Sequence, residues 1–287
     1  MRTTRFFCRP LAALLIGAAW LVPAAAGIVN AAGATGLPVS LRPSDAAGNL
    51  LPGPGYFRFT AAAGTTTQLY ALVGNPSHRT GEIRIVPVDA ATGVYGGVTA
   101  RLASQPRRHA GRWIHLAMTR VTLHPDRGEV VPFTVTVPAS ARPGQYVAAL
   151  TAFTPSQDTA RGRDFAVTVQ TRLADFVVIT VPGAEHRAFR LRGLSVQRRT
   201  ASTYVIAYIH NSGTMMLHGW GYLWVWGPRH KNPILSRALA IGTTLPHSTA
   251  QYPIELGAHP LRGVYSYHLK VWWRGGMVTR HAAFRVS

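Results

Sequence analysis

Trp113–Thr154, WIHLAMTRVTLHPDRGEVVPFTVTVPASARPGQYVAALTAFT, decides how this chain is read. Within Val130–Val137, Val131, Phe133, Val135 and Val137 alternate with Pro132, Thr134 and Thr136, the period of a half-buried strand. Val121–Leu123 predicts a short strand before it and Gln145–Phe153 a longer one after it. Between the last two, Pro138–Gly144 is dense in turn formers. Gly144-Gln145-Tyr146 fits a tyrosine corner, where a phenol opening a late strand bonds back to the preceding loop.

Working outward, the same plan occurs twice. Strands are predicted at Tyr56–Thr60, Gln68–Gly74 and Glu82–Val88, with a sharp turn at Asn75-Pro76-Ser77. Asp89–Gly111 reads as a long irregular insertion and Pro155–Gly162 as a polar loop. Asp164–Val181 is too long for one ordinary strand and is expected to bend near Arg172. The pattern then restarts at Phe189–Val196 and Tyr204–His210. Asn211-Ser212-Gly213 echoes Asn75-Pro76-Ser77, and Gly263-Val264-Tyr265 repeats the Gly-x-Tyr signature. The predicted fold is all-β, two tandem Ig-like sandwiches. The boundaries are a signal segment at 1–31, an N-terminal tether at 32–54, domain one at 55–182, a linker at 183–187 and domain two at 188–287.

Arg2, Arg5 and Arg9 precede an apolar run from Leu11 to Val22, and small residues around Ala31 offer cleavage sites. This predicts export to the cell surface or medium. An uncleaved leader is the alternative, and the only expected contact with a membrane. The single cysteine, Cys8, lies before the apolar run, so the exported part has no disulfide. Lys+Arg number 30 against 10 acids; without the three leader arginines, 27 bases remain, a net charge of +17. Such a chain attracts polyanions, or is kept soluble by its charge.

Catalysis finds little support. After Glu185 the only acid is Glu255, so domain two holds no carboxylate pair, and domain one's acids are scattered singly. No Gly-x-Ser-x-Gly elbow, HExxH or phosphate loop is present, and the twelve histidines lack ligand spacing. No cofactor, no metal and no catalytic residue is expected. Arg107, Arg108, His109 and Arg112 form one basic cluster and Arg198-Arg199 another; the first is the candidate contact to an anionic polymer. Trp220, Tyr222, Trp224 and Trp226 share one face of a strand, with Leu223 and Val225 on the other. The aromatic face is expected to fill the core, since aromatics dominate cores. Four such rings crowd one core, so stacking on sugars or covering a partner is the alternative. Trp272-Trp273 places one ring on each face.

Tyr56–Val181 resembles the peptidoglycan-binding domain of WxL-interacting proteins of Gram-positive surfaces. The resemblance lies in YFRFTAAAG, in the Asn75-x-Ser77 turn, and in VTLHP…VPFTVTVPA…PGQY. Domain two is similar in plan to the Ig-like domain that follows there. The resemblance implies export, a non-catalytic role, attachment to peptidoglycan and contact with WxL-type surface proteins. Family members end in a transmembrane helix and a basic tail, whereas this sequence ends after a strand at Ser287. The expected function is therefore a surface protein that binds peptidoglycan, an anionic wall polymer or a surface protein. The alternatives are a pilus-type assembly chaperone with two Ig-like domains and a polysaccharide-modifying enzyme. Nucleic acid is not an expected partner.

Overall fold

The computed structural model describes residues 38–155, 158–161, 166–169 and 172–287. The signal segment read at 1–31 lies outside them. Ala34–Ser287 clusters as one compact unit that contains two β-sandwiches, each with its own apolar core.

Sandwich one packs two sheets face to face. The first orders β1 (Ser40–Ser44), β3 (Thr66–Asn75), β8 (Arg127–Thr136) and β6 (Ile114–Leu116). The second orders β2 (Phe57–Thr60), β12 (Arg172–Val181), β9 (Gly144–Phe153), β4 (Gly81–Thr92) and β5 (Val98–Ala100), with β7 (Arg120–Leu123) also on β4. β2 runs parallel to β12; the other pairs are antiparallel. The alternation of β8 is realised as predicted: Val131, Phe133 and Val135 are buried between the sheets, and Phe133 meets the Phe57 ring edge-on at 5.1 Å. Pro132 sits beyond the end of the β6 ladder, where the Ala117 N–H donates to its carbonyl, so its missing N–H costs no ladder bond.

Three expectations need correction. The tether at 32–54 contains β1, paired with β3 from Ser40↔Gly74 to Ser44↔Tyr70, with Leu41 in the core. The polar loop contains β10 (Asp158–Arg161), which pairs with β11 (Ala166–Val169); within the run read over 164–181, β11 and β12 are the described segments. The bend expected near Arg172 falls next to 170–171, outside the described residues. The insertion at 89–111 is regular at its start, because β4 continues to Thr92 and turns back as β5, and irregular from Arg101 to His109.

Sandwich two packs β13 (Phe189–Arg198), β14 (Thr203–Asn211) and β17 (Thr249–Gly257) against β16 (Leu235–Thr244), β15 (Leu217–Trp226), β18 (Gly263–Trp273) and β19 (Gly276–Val286). Both tyrosine corners are present: Tyr146 OH donates to Arg142 O at 2.9 Å and Tyr265 OH to Leu261 O at 2.7 Å. The asparagine echo is real as well. Asn75 and Asn211 are both buried, and each side-chain oxygen accepts the N–H two residues on.

The β4–β5 hairpin joins the two sandwiches. Its tip lies between β16 and β17: Tyr95 N–H donates to Gln251 O, and Tyr95 O accepts from Gly242 N–H and from the Tyr252 hydroxyl. The Thr92 and Ser248 hydroxyls meet at 2.6 Å. Ala90, Val147, Val178 and Leu245 form a small apolar core beneath. A second tie runs from β9, where Gln145 N–H donates to Thr214 O and the Gln145 side chain accepts from Met216 N–H.

Candidate functional site

The basic cluster of domain one lies on the loop that follows β5, and one buried carboxylate shapes it. Asp89 accepts from the backbone N–H groups of Arg108 at 2.5 Å, His109 at 3.1 Å and Gly111 at 2.8 Å. This turns the loop into a 3-10 turn at Ala110–Trp113 and occupies the carboxylate with amides. Arg107 folds back and donates to Gly111 O and Ile114 O, so it serves the loop. Arg108, His109 and Arg112 instead line a groove of about 530 Å³ together with Trp113, His115 and Tyr146. The Trp113 and Tyr146 rings lie 4.6 Å apart, tilted by 49°. The tyrosine corner that fixes Tyr146 thus also builds one wall of the groove.

The groove continues into a cleft of about 700 Å³ at the domain junction, lined by Arg101, His109, Arg142, Gln145, Tyr146 and His247 among others. The structure therefore brings together three of the four predicted basic residues and adds Arg101, Arg142, His115 and His247. Sequence reading missed these four because they come from loops and strands far apart in the chain. Arg198-Arg199, the other basic pair, is spent locally: Arg198 donates to Ser287 O and Arg199 sits 5.0 Å over the Tyr204 ring.

Forked arginine donors beside an aromatic pair, with the local carboxylate already satisfied, make a site for phosphate or carboxylate groups carried on a ring-bearing ligand. Among the described residues, no acid lines the groove or the cleft. Glu82 pairs with Arg84 at 3.3 Å, Glu185 with Arg187 at 2.8 Å, and Glu255 accepts from the Ser202 hydroxyl. Asp175 points into sandwich one, and burial pushes its carboxyl up to about 7. Among the described residues, no three His, Cys, Asp or Glu side chains cluster as metal ligands.

The aromatic strand is turned opposite to the core expectation. Leu223 and Val225 are the buried side, whereas Trp220 is 53% and Tyr222 41% exposed. Inward positions Gly219 and Gly221 leave room for neighbours: a Cβ on Gly219 would lie 3.3 Å from the Phe189 ring, and Phe189 itself packs on Trp273. The core volume is supplied by Tyr265, Tyr267 and Leu269 of β18 instead. Trp272 and Trp273 do take opposite faces, since Trp272 stacks on Tyr222 outside at 6.2 Å.

No family model matches the chain, and no curated protein does either. Among solved structures, the chain is similar to the E. coli chaperone DraB at 11% identity, over 88% of this chain and 98% of that one, with a TM-score of 0.36. It is similar to a chaperone-tip adhesin complex of CFA/I fimbriae biogenesis at 10% identity, 79% and 93% coverage and a TM-score of 0.37. A chaperone-tip adhesion subunit complex of the Csu pili of Acinetobacter baumannii gives 13% identity, 70% and 88% coverage and a TM-score of 0.35. Likenesses at this level leave the reading of function to the chain's own surfaces.

Proposed function

We propose that this chain is an exported, non-catalytic binding protein of the cell envelope that takes an anionic wall polymer in the basic groove and junction cleft. The observation that carries this reading is that Arg108, His109 and Arg112 line the groove and Arg101, His109, Arg142 and His247 the adjoining cleft, while the Asp89 carboxylate beneath the loop is already engaged by backbone amides. The resemblance of Tyr56–Val181 to a peptidoglycan-binding domain agrees with it. The Trp113–Tyr146 wall would contact sugar rings while the guanidinium groups hold phosphates or carboxylates. Co-sedimentation of the chain from Ala32 with purified sacculi, with and without teichoic-type polymers, tests this across a salt series. The reading expects pelleting with polymer-bearing sacculi that weakens as salt rises. No pelleting with either preparation would overturn it.

A second reading, an assembly chaperone that holds a partner's strand, is favoured by one edge. β2 covers β12 only at Val177–Thr180, and among the described strands none pairs with the same edge at Arg172–Phe176. An open edge can accept an extended segment through main-chain hydrogen bonds. Co-purification of a stoichiometric client, lost on Ala174→Pro, would support this reading over the first.

A further inference from the structure

The outer face of the β16-β15-β18-β19 sheet has a composition that its fold does not require. Neighbours across β15, β18 and β19 fall into register: Trp220 beside Trp272 and Met277, Tyr222 beside Lys270 and Thr279, and Trp224 beside His268 and His281. Trp226 beside Ser266 extends the series. Successive rows lie about 7 Å apart and the face runs for ~20 Å along the strands. The rings form a connected array, with Tyr222 on Trp224 at 5.3 Å, Trp224 on His268 at 5.1 Å and His268 on His281 at 3.8 Å. A solvated sheet face ordinarily carries Thr, Lys and Glu, whereas this one spends its largest side chains on water and glycines on the core.

The charge of the face narrows what would cover it. Sandwich two has one acid, Glu255, and that residue lies on β17 in the opposite sheet. Lys270 and the His268–His281 pair stand in the middle rows, between rings. A protein–protein interface is depleted of charge at its core and keeps it at the rim, the reverse of this arrangement. The Lys270 ammonium set between ring faces, with the imidazoles beside it as further polar groups, complements a ligand that alternates apolar ring surfaces with acidic substituents. The amide-like donors available, indole N–H, phenol O–H and ammonium, call for acceptors on the partner.

We infer that this face is a second binding site, for a linear glycan whose sugar rings carry carboxylates. It is built from residues separate from the groove of sandwich one, so it stands or falls independently of the function proposed above. Together the two sites would make binding to a long polymer bivalent.

Five of the seven tryptophans, Trp220, Trp224, Trp226, Trp272 and Trp273, lie on β15 and β18, so intrinsic fluorescence reports this face. The chain from Ala32 is titrated with a hyaluronan decasaccharide, with neutral cellohexaose and with polyphosphate. In the Arg108→Ser/Arg112→Ser background, where the groove beside Trp113 has lost these guanidinium donors, hyaluronan is expected to quench and polyphosphate to leave the signal unchanged. Trp220→Ala, at an exposed position that leaves the core intact, should weaken hyaluronan binding by about tenfold. Lys270→Gln in the same background should reduce hyaluronan to the affinity of cellohexaose. Absence of quenching by either saccharide at millimolar concentration would overturn the inference. So would binding of hyaluronan and polyphosphate that Trp220→Ala leaves unchanged, since charge alone would then account for it.

Discussion

At the scale of residues, a few buried polar groups fix the loops. Asn211 donates to Met215 O at 2.8 Å and Thr244 O at 2.9 Å, which ties the β14–β15 turn to the end of β16. Asn211→Ala would leave these carbonyls and the Gly213 N–H unpaired inside the protein, at a cost of about 2–3 kcal/mol, measurable by urea denaturation. Asp175 is a liability of the opposite kind. Its Oδ2 is buried with no hydrogen-bond partner among the described residues, and burial outweighs the Phe176 N–H and the Arg42 charge to raise its pKa to about 7. In the unfolded chain the same carboxyl ionises near ~3.9. Between those values the native state binds the extra proton. The group's contribution to stability is therefore greatest below about pH 4, falls as pH rises to 7 and is level above. Asp175→Asn should remove that fall, match the parent near pH 4 and exceed it at pH 8 by about 4 kcal/mol. Parallel stability curves for parent and variant would contradict this. The two tyrosine corners and the paired asparagines were legible in the sequence because each is a local motif with a fixed spacing. Asp175 was not, because alternation along β12 does not reveal that the opposing sheet supplies it no donor.

At the scale of elements, the β4–β5 hairpin changes most between sequence and structure. Gly93-Val-Tyr-Gly-Gly97 reads as an interruption, and its bonding partners, Gly242, Gln251 and Tyr252, lie some 150 residues later in the other sandwich. A partner that distant leaves no local signal. The hairpin tip depends on close backbone approach: Gly96 has φ +81°, and a Cβ there would fall 2.5 Å from Gly242 O. Gly96→Val should therefore free the tip without touching either core. The expected outcome is faster proteolysis at the 183–187 linker and a thermal transition that splits in two. A single unchanged transition would show that the Gln145 ties hold the junction alone. The direction of β15 was equally hidden. Alternation separates Trp220, Tyr222 and Trp224 from Leu223 and Val225, but which face points inward depends on what β18 and β13 bring to the core. Tyr265, Tyr267 and Phe189 fill that space, so the tryptophans are turned outward. The strand positions themselves were legible throughout sandwich two, since each begins and ends at turn residues.

At the scale of the whole molecule, the excess of positive charge is general, yet its consequences are local. Arg84, Arg107, Arg187 and Arg198 are engaged by carboxylates or carbonyls of their own neighbourhood. Arg108 and Arg112 line the groove of sandwich one, and Arg101 and Arg142 the adjoining cleft at the domain junction. Composition predicted an anionic partner but could not say where, because the groove and cleft draw their basic residues from separate stretches of the chain. The same distinction separates neighbours in sequence. Arg107→Ser should lower stability by about 1–2 kcal/mol through its lost loop bonds, whereas Arg108→Ser should leave stability nearly unchanged and weaken polymer binding. The most direct test of the proposed function compares the chain from Ala32 with its Arg108→Ser/Arg112→Ser variant in titrations of purified teichoic-type polymer at several salt concentrations. The account predicts binding by the parent that weakens with salt, and in the variant both a lower affinity, by about tenfold at low salt, and a shallower salt dependence. Equal affinity and equal salt dependence for the two proteins would contradict it, since the remaining positive charge would then suffice without the groove.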